Sequence, residues 1–585
     1  MSKEEYPVGT APIKGSDSDA SPTRGDTEKG HHVVSDPAIH GDLPSGREDD
    51  FMTRNGLNLK SFQKRTGADG QLADLDKSMK ARHLHMIAIG GSIGAGFFVG
   101  SGKSFTNGGP GSVLICFLIA GVMIFNVVYA LGELAVMFPV SGGFYTYSIR
   151  FIDASWGFAM GWNYVIQWLI VLPLELTVVS FTVQYWDKET SVAVWITVFW
   201  VFIIITNIFG TLGYAEEEFF AAIFKLSATV IFMFIALVLV LGGGPKSGRY
   251  SEYWGARLWY DPGAFQHGFR GFCSVFVVAA FAFSGTELVG LAAAEAKNPA
   301  KALPGAIKQV FWRITLFYIL GLTFVGLLVS STDDRLLNAE NPYADGVSPF
   351  VLAGKYAGLK GFDHFMNIVI LVSVMSIGVS CVYGGSRTLT ALAQQGYAPK
   401  IFATIDRAGR PTWSVAINLL FGAIAYVTLA SSGGVVFDWL LALSGLAALF
   451  TWGSICLAHI RFRSGWAHHG HTLDEIPFKA IGGVYGSYLG LFLVLVCMAA
   501  QFFVAIAPIG GGLSDAEGFF KAYLALPVVI VFYIGGWIWK RKGWVSLANM
   551  DVDTGRREHD WETINAEREI DAARPAWRRF FNAVF

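Results

Sequence analysis

Twelve long apolar segments dominate this sequence, and they leave few folds open to it. Each runs for about 20 residues or more, the length that an α-helix needs to cross the hydrocarbon core of a bilayer. Backbone polar groups inside a membrane must be satisfied internally, so segments of this kind are expected to be helices. We number them segments 1 to 12, with boundaries near residues 83–105, 111–138, 156–186, 191–212, 217–243, 270–296, 310–331, 363–394, 413–430, 437–460, 483–506 and 521–539.

The composition agrees with a polytopic membrane protein and argues against other classes. Of the 585 residues, 53% are hydrophobic and only 15% are charged, which is unusual for a soluble chain of this length. A formal net charge of −1 lacks the concentrated basic surface that nucleic-acid binding needs. All five cysteines fall in apolar segments, without the spacing of a disulfide framework or a metal site, so they are predicted to be small buried residues.

Both ends of the chain are polar. Residues 1–80 are poor in apolar side chains and contain no signal-peptide core, so they are predicted to be a disordered tail, either a plain leader or a regulatory segment. Basic residues gather in the short loops after segments 6, 8, 10 and 12, whereas the short opposite loops near residues 431–432 and 511–512 carry none. With an even number of segments, this asymmetry predicts that both termini are cytosolic.

Two segments are interrupted by glycine and serine. Segment 1 contains IAIGGSIGAGFFVG at residues 87–100, and segment 6 contains AFAFSGTELVG at residues 280–290. Each glycine in a helix interior costs roughly 1 kcal/mol relative to alanine, so both helices are predicted to break and to present N–H groups at a half-helix start. The alternative is close helix packing through small residues. Interrupted segments in corresponding positions of two halves indicate a transporter site between inverted repeats, here of five helices each.

Several longer motifs resemble those of a known family. They are IAIGGSIGAGFFVGSG in segment 1, LGELAVMFPVSGGFYTY after segment 2, AFAFSGTELVGLAAAEAKNPAKALP around segment 6, SRTLTALAQQGYAPKIFATIDRAGRP after segment 8, WLLALSGLAALFTWGSICLAHIRFR around segment 10, and DVDTGRREHD in the C-terminal tail. Together they resemble the fungal amino-acid permeases of the amino acid–polyamine–organocation superfamily, most closely the general amino-acid permeases. The resemblance runs from about Leu75 to the C-terminus.

This resemblance implies an all-α polytopic membrane protein with twelve transmembrane helices in a leucine-transporter-like fold. Two inverted five-helix repeats would span about residues 83–243 and 270–460, and two extra helices about residues 483–540. The transmembrane domain would therefore cover residues 81–542, followed by a cytosolic tail from residue 543 to residue 585. The resemblance also implies amino-acid uptake at the plasma membrane, driven by protons.

The resemblance further implies where an amino acid binds. The substrate carboxylate would meet backbone N–H groups at the break of segment 1, and its ammonium would meet carbonyl groups freed by both breaks. Phe281 stands where the family has an aromatic gate over the substrate, although a packing role is the plain alternative in a chain with 47 phenylalanines. The expected substrate-binding residues are Ile89, Ser92, Ile93, Gly94, Ala95, Gly96, Phe281, Ala282 and Ser284.

Ionisable side chains inside apolar segments cost roughly 2.5–3.5 kcal/mol on insertion scales and mark a pathway or an ion pair. The resemblance implies that Lys225 in segment 5 takes the place of the cation that sodium-coupled relatives bind at this helix. The alternative is that its side chain extends to the lipid headgroups. Glu175 follows Pro173 in segment 3, and Glu287 follows the break of segment 6. We expect Lys225 and at least one of these carboxylates to set proton coupling, with a structural role as the alternative. Glu133, near the cytosolic end of segment 2, is expected to be structural.

The sequence therefore predicts a proton-coupled symporter that takes up a broad range of amino acids by alternating access. The proton is the coupling ion, and no other cofactor or metal is expected. Expected partners are L-amino acids, protons, membrane lipids and, on the cytosolic tails, ubiquitin-ligase and trafficking machinery. The alternatives are a narrower permease for proline, basic or aromatic amino acids, and a non-transporting amino-acid sensor on the same scaffold. An enzyme is disfavoured because no nucleophile–base pattern, phosphate loop or metal-ligand spacing stands out.

Overall fold

The computed structural model describes residues 50–579, apart from 55, 66–74, 76, 141, 298, 338–347, 431–432, 515, 542, 558 and 576. These residues belong to one compact unit. Within them the backbone is mainly helical, and extended pairing is limited to three isolated bridges. The predicted all-α fold class is thus confirmed for the described part of the chain.

The helices follow the apolar segments closely. Segments 3, 4, 5, 8, 10 and 11 are single helices: Ala154–Val183, Val192–Ile208, Gly210–Val240, Phe362–Gln394, Gly433–His468 and Gly483–Ile506. The stretch Gly100–Met137 contains two helices that meet at a kink at Gly109, where φ is +77°. The part before the kink completes segment 1, and the part after it forms segment 2. The other segments are chains of shorter helices: Ala81–Gly90 and Ala95–Phe98 (segment 1), Gly268–Phe283, Leu288–Ala292 and Ala293–Glu295 (segment 6), Pro299–Trp312, Arg313–Gly321 and Leu322–Leu328 (segment 7), Thr412–Phe421 and Gly422–Leu429 (segment 9), and Ala516–Tyr523 and Ala525–Lys540 (segment 12).

Shorter helices occupy the connections and the tails. They are Phe51–Arg54, Leu59–Phe62, Phe144–Phe151, Trp259–Gly263, Asp334–Leu337, Pro349–Ala357, Lys400–Ala403, Leu473–Glu475, Leu547–Asn549 and Trp561–Ala572. None of them is long enough to cross a bilayer.

The number of membrane crossings is smaller by helix length than by sequence. Among the described residues, nine helices are long and apolar enough to cross a membrane, and a tenth forms if the two helices of segment 12, bent by 68°, count as one. Segment 4 has 17 helical residues, and segment 1 is interrupted, so neither meets that length. The total of twelve crossings stays a prediction.

Segments 1 and 6 are interrupted where the glycines predicted it. In segment 1, residues 91–94 separate the two helical pieces, and we name them break 1. In segment 6, residues 284–287 separate Gly268–Phe283 from Leu288–Ala292, and we name them break 2. Gly285 in break 2 has φ +91°, a left-handed conformation that glycine adopts without the strain of a Cβ atom.

The two breaks lie inside one continuous apolar core. Segment 3 packs along segments 8, 10 and 12, segment 2 along segment 6, and segment 1 along segments 5 and 7. The second piece of segment 1, Ala95–Phe98, is fully buried and contacts segments 6 and 8. The interrupted backbone therefore faces protein on all sides, which is the condition under which a membrane helix can unwind.

The N-terminal prediction differs from the structure at residues 50–65, which were expected to be disordered. Arg410, in the connection after segment 8, donates to the Ser61 hydroxyl over 2.9 Å, to Asp406 over 2.7 Å and to the Ile208 carbonyl oxygen. The Arg407 N–H also donates to the Ser61 carbonyl oxygen over 3.1 Å. Composition predicted disorder because the residues that hold this stretch, Arg407 and Arg410, are far away in the chain. Residues 1–49 lie outside the described residues.

The C-terminal tail forms a strap across the ends of segments 2 and 10. The Arg557 N–H donates to the Met137 carbonyl oxygen over 3.1 Å, and Arg150 donates to the carbonyl oxygen of Asp551. The side chain of Val552 is 1% exposed, so the strap buries apolar surface as well as forming hydrogen bonds. The helix Trp561–Ala572 follows and lies against the connection after segment 10.

Candidate functional site

A small cavity lies between the two breaks and segments 3 and 8. Its volume is about 20 Å³, which is room for about one water molecule. The cavity is lined by Ser92, Gly94, Ala95, Gly96, Trp168, Val171, Glu175, Phe281, Ser284 and Ile377.

Six of the nine predicted substrate-binding residues line this cavity: Ser92, Gly94, Ala95, Gly96, Phe281 and Ser284. The other three, Ile89, Ile93 and Ala282, do not. Ile93 and Ala282 are buried among neighbouring side chains, and the Ala282 carbonyl oxygen accepts a 2.6 Å hydrogen bond from the Tyr318 hydroxyl. Ile89 is partly buried against the apolar core.

Break 1 gives the cavity backbone donors. The helix that starts at Ala95 has Gly94 as its N-cap, and the first N–H groups of a helix have no partner within that helix. The positive end of the helix dipole adds to the field of these groups. An anionic group in the cavity would meet both.

Break 2 is held by side chains from several other segments, including Arg313 of segment 7, which donates to the Thr286 hydroxyl. Gln167 of segment 3 donates to the Ser284 hydroxyl over 2.6 Å. The fully buried carboxylate of Glu287 accepts from the Gly285 N–H over 3.3 Å and from the Trp452 indole N–H over 3.0 Å. Glu287 therefore braces the unwound backbone from within, which was one of its two predicted roles.

Next to the two breaks, segments 1 and 6 come into close contact at Gly96. A Cβ atom at this position would lie 2.8 Å from the Cα atom of Ala282 and 2.8 Å from Cδ1 of Phe281. Both distances are well inside van der Waals contact. Glycine thus allows the start of the second half of segment 1 to rest directly on segment 6.

Lys225 lies in a buried polar cluster beside Gly90, the last residue before break 1. Its Nζ atom is 3.2 Å from a carboxylate oxygen of Glu218, seven residues earlier on segment 5, and donates over 3.2 Å to the Ser376 hydroxyl of segment 8. Ser376 in turn donates to Glu218. A Cβ atom at Gly90 would lie 3.2 Å from Cε of Lys225, so the lysine stem runs along segment 1. All three side chains of the cluster are fully buried, and the lysine does not snorkel.

Glu175 lines the cavity itself, and it lies within electrostatic range of Lys225 without forming a close ion pair with it. Its side chain is 2% exposed, and one carboxylate oxygen has no hydrogen-bond partner among the residues that the structure describes. The ion pair of Lys225 is with Glu218 rather than with Glu175.

Glu133 occupies a structural cluster, in line with its expected role. Its carboxylate accepts from Arg463 and from the Ala480 N–H, both over 2.8 Å, and lies 3.0 Å from Nε2 of His459. These contacts join segments 2 and 10 to the connection after segment 10.

Sequence reasoning missed further buried charges inside the apolar segments, among them Glu218, Arg313 and the pair of Glu295 and Arg387. Glu218 was detectable, because residues seven apart lie on one face of a helix. Arg313 of segment 7 was visible as an isolated basic residue in an apolar stretch, but its partners are tertiary. Glu295 and Arg387 form a buried ion pair of 3.2 Å that joins segments 6 and 8, and nothing in their spacing of 92 residues predicts it.

The described residues contain no group of three or more side chains that could hold a metal ion. The cavity lining offers backbone polar groups, two serine hydroxyls, one indole N–H, one carboxylate and apolar side chains. These groups suit the two charged ends of a small zwitterion, but the space in this conformation holds only about one water molecule, so the surrounding helices have to move apart before a zwitterion enters.

Comparison with known proteins identifies the family. Residues 83–548 match the family profile described as "Amino acid permease". The chain belongs to the amino acid permease family. This permease is 68% identical over 564 residues to "Amino-acid permease inda1" of Hypocrea atroviridis, covering 95% of this chain and 98% of that protein.

Two other relatives carry more specific names. The permease is 50% identical over 520 residues to "General amino-acid permease GAP1" of Saccharomyces cerevisiae, covering 87% of this chain and 85% of that protein. It is 47% identical over 526 residues to "Cationic amino acid transporter 1" of Schizosaccharomyces pombe, covering 89% and 87%. The predicted resemblance to fungal amino-acid permeases is confirmed, and the chain is a multi-pass membrane transporter of amino acids rather than an enzyme.

A solved structure supports the fold at low sequence identity. The Eremococcus coleocola manganese transporter, crystallised with an aromatic bis-isothiourea compound, matches with a TM-score of 0.51 at 11% identity, covering 80% of this chain and 98% of that one. The similarity concerns the fold alone.

Proposed function

We propose that this permease is a proton-coupled symporter that carries a broad range of amino acids into the cell across the plasma membrane, with both termini in the cytosol. The observation that carries the proposal is the cavity between two helix breaks, with a buried lysine cluster beside Gly90, the residue that precedes the first break. The polar groups of the breaks suit the backbone of an amino acid, and the lysine cluster suits a proton.

The lining of the cavity supports the proposed broad substrate range. Every α-amino acid presents the same carboxylate and ammonium, and backbone groups at the breaks recognise these without reading the side chain. The remaining lining is mostly apolar, from Trp168, Val171, Phe281 and Ile377. Phe281, with no polar group of its own, closes over a ligand by bulk and apolar contact.

The position of Lys225 supports the proposed proton coupling. In the charged form it pairs with Glu218 and donates to Ser376, which ties segment 5 to segment 8. Loss of a proton from the lysine, or gain of one by Glu218, removes the ion pair and loosens that tie. Because the lysine stem also runs along Gly90, the change reaches the helix that leads into break 1. Glu175 and Glu287 are the carboxylates that would take part with it.

A narrower range for cationic amino acids has one observation in its favour. Glu175 places a carboxylate oxygen without a partner among the described residues at the cavity wall. A relative named for cationic amino acids is 47% identical. A positively charged substrate side chain would find a counter-charge there.

The test is uptake of a panel of radiolabelled amino acids into transporter-deficient cells, with and without a protonophore. We expect uptake of apolar, polar, acidic and basic amino acids that collapses with the proton gradient. Uptake of basic amino acids alone would establish the narrower range. Binding without uptake by correctly localised protein would establish a sensor. Equal uptake with and without the protonophore would refute proton coupling.

Variants then test the coupling residues. We expect Lys225→Met to abolish uphill, pH-dependent uptake at normal surface level, and at least one of Glu175→Gln and Glu287→Gln to do the same. Lys246→Met, in an exposed connection, is the matched control and should behave as wild type. Retention of pH-dependent uphill uptake by all three test variants would refute the assignment.

A further inference from the structure

The indole of Trp168, a residue of the cavity wall, fills the gap between break 2 and segment 8. A Cβ atom at Gly285 of break 2 would lie 3.4 Å from Cη2 of the indole, and a Cβ atom at Gly384 of segment 8 would lie 2.9 Å from its Nε1 atom. At Gly385 an added Cβ would lie 3.2 Å from Cβ of Trp168. Glycine at these positions therefore lets the ring, which is 2% exposed, touch both elements at once.

The ring lies on the side of the cavity that faces the two tails. We call this the tail side and define it by residues 50–65 and the strap. Segment 8 passes the cavity residue Ile377 seven residues before Gly384, which is about 10 Å along a helix, and then leads into the connection that holds residues 50–65. Segment 3 begins beside the C-terminal tail and reaches Trp168 three residues before the cavity residue Val171.

Two further aromatic rings continue from the indole towards the tail side. The rings of Trp168 and Tyr164 are perpendicular, with centroids 5.6 Å apart. Phe144, in the connection after segment 2, lies 4.6 Å from Tyr164, also edge to face, an arrangement that aromatic pairs favour. A Cβ atom at Gly384 would lie 2.9 Å from Cδ2 of Leu288, the first residue after break 2. All four side chains are buried, so apolar groups separate the cavity from the tail side.

This arrangement links the position of the indole to the conformation of the transporter. A ligand that leaves the cavity between break 2 and segment 8 needs these two elements to move apart. The indole contacts both of them only while they are close together. A side chain whose contacts exist in one conformation alone shifts the equilibrium towards that conformation.

We propose that Trp168 is the gate of the cavity on the tail side. Its indole stabilises the conformation that is closed to that side, and it leaves the gap between break 2 and segment 8 before an amino acid is released there. The inference rests on the proposed function for the direction of release, which is into the cell when the tails are cytosolic. Phe281 closes over the ligand, and Trp168 controls its exit.

The test measures from which face of the membrane the cavity can be reached. Ser92→Cys places a thiol at the cavity wall of a chain whose five own cysteines are buried. A membrane-impermeant maleimide is applied to intact cells, which present the outer face, and to inside-out vesicles, which present the cytosolic face. Labelling of the protein without Ser92→Cys is subtracted as background.

Two variants at the gap should open the cavity to one face only. Added to Ser92→Cys, Trp168→Ala should raise the labelling rate in inside-out vesicles roughly tenfold or more, without raising it in intact cells. Trp168→Phe keeps a smaller ring and should give an intermediate rate. Gly384→Ala keeps the tryptophan, but its methyl group would lie 2.9 Å from Nε1 and push the ring off segment 8. It should therefore give the same one-sided rise.

Trp162→Ala is the matched control. It removes a tryptophan from the same helix, but the ring of Trp162 stacks on Phe532 of segment 12, away from the cavity lining. Its labelling should match that of Ser92→Cys alone from both faces. The same one-sided rise in this control would overturn the inference, because any loss of packing in segment 3 would then produce it.

The remaining outcomes also decide the inference. An equal rise from both faces in Trp168→Ala would assign the indole to packing alone and overturn it, and so would unchanged labelling in Trp168→Ala and Gly384→Ala. If Trp168→Ala does not reach the membrane, Gly384→Ala and Trp168→Phe decide. The labelling needs no transport, so failure of the proposed function is seen separately: a one-sided rise in intact cells would keep the gate and refute the cytosolic position of the tails.

Discussion

The close approach at Gly96 gives the sharpest test of the site. In Gly96→Ala, the new methyl group would lie 2.8 Å from the Cα atom of Ala282 and 2.8 Å from Cδ1 of Phe281. Carbon atoms pack best at about 3.5–4.0 Å, so segment 6 would have to retreat by about 0.7 Å from segment 1. The atom in the way at Ala282 belongs to the backbone and cannot be relieved by a rotamer change.

Two opposing effects set the magnitude. Alanine favours a helix over glycine by about 0.5–1 kcal/mol, whereas overpacking a filled core costs about 1–3 kcal/mol. We therefore expect Gly96→Ala to lower the thermal midpoint of the purified protein and to raise the KM of uptake by roughly tenfold or more, since the proposed site lies between the two breaks. Gly535→Ala is the control, because that helix position has no atom within 4 Å of an added Cβ. Wild-type KM in Gly96→Ala, at equal surface level, would refute the view that the contact of segments 1 and 6 at Gly96 shapes the site.

Three further predictions concern the supports of the site and the tail. Glu218→Gln leaves the Lys225 ammonium buried without its paired carboxylate, which costs about 3–5 kcal/mol. The thermal midpoint should fall in this variant and should recover in the double variant with Lys225→Met. Equal midpoints for wild type, the single variant and the double variant would contradict a stabilising ion pair. Trp452→Phe removes an indole donor from the carboxylate in break 2 and should cost about 1 kcal/mol of stability, measured as the shift of the same midpoint; no shift would mean that the bond contributes nothing. A hydrogen bond from the Thr472 backbone N–H holds the pKa of Glu475 below its ordinary value of 4.5, and the same carboxylate lies 3.4 Å from a guanidinium nitrogen of Arg556 in the tail. This ion pair with the tail is present above pH 4.5 and is lost as pH falls through the lower folded pKa of Glu475. Protease cleavage of the tail in detergent-solubilised protein should therefore increase only in that acidic range, and cleavage independent of pH would contradict this.

The sequence is sufficient for the features that local chemistry decides. Glycine and serine in the middle of an apolar stretch weaken a helix wherever it lies, so the amino-acid pattern alone locates both breaks. The relation between Glu218 and Lys225 is also local, since seven residues bring two side chains to the same helix face. A spacing of this kind is a usable signal whenever an acidic and a basic residue share one apolar segment.

Other features depend on surfaces that the fold alone creates. Arg313 is one basic residue in a long apolar stretch, and its partners come from helices more than 25 residues away in the chain. Residues 50–65 have the composition of a disordered tail, yet Arg410 donates a hydrogen bond to Ser61 that no local sequence pattern predicts. The sequence predicts twelve membrane crossings, whereas helix length supports nine or ten among the described residues. The two numbers differ partly because a break or a bend splits one apolar segment into helices that are each too short to cross a membrane.

The strap formed by the C-terminal tail determines where the protein can be shortened or extended. Arg461 donates to the carbonyl oxygens of Phe151 and Val545, and Trp544 lies over its guanidinium at 4.6 Å. Truncation before Trp544 would remove two of these three partners and expose the apolar seat of Val552 at the ends of segments 2 and 10. A fluorescent protein joined after Arg579 keeps the whole strap in place. Shortened versions made for crystallisation should therefore keep the chain at least through the helix Trp561–Ala572.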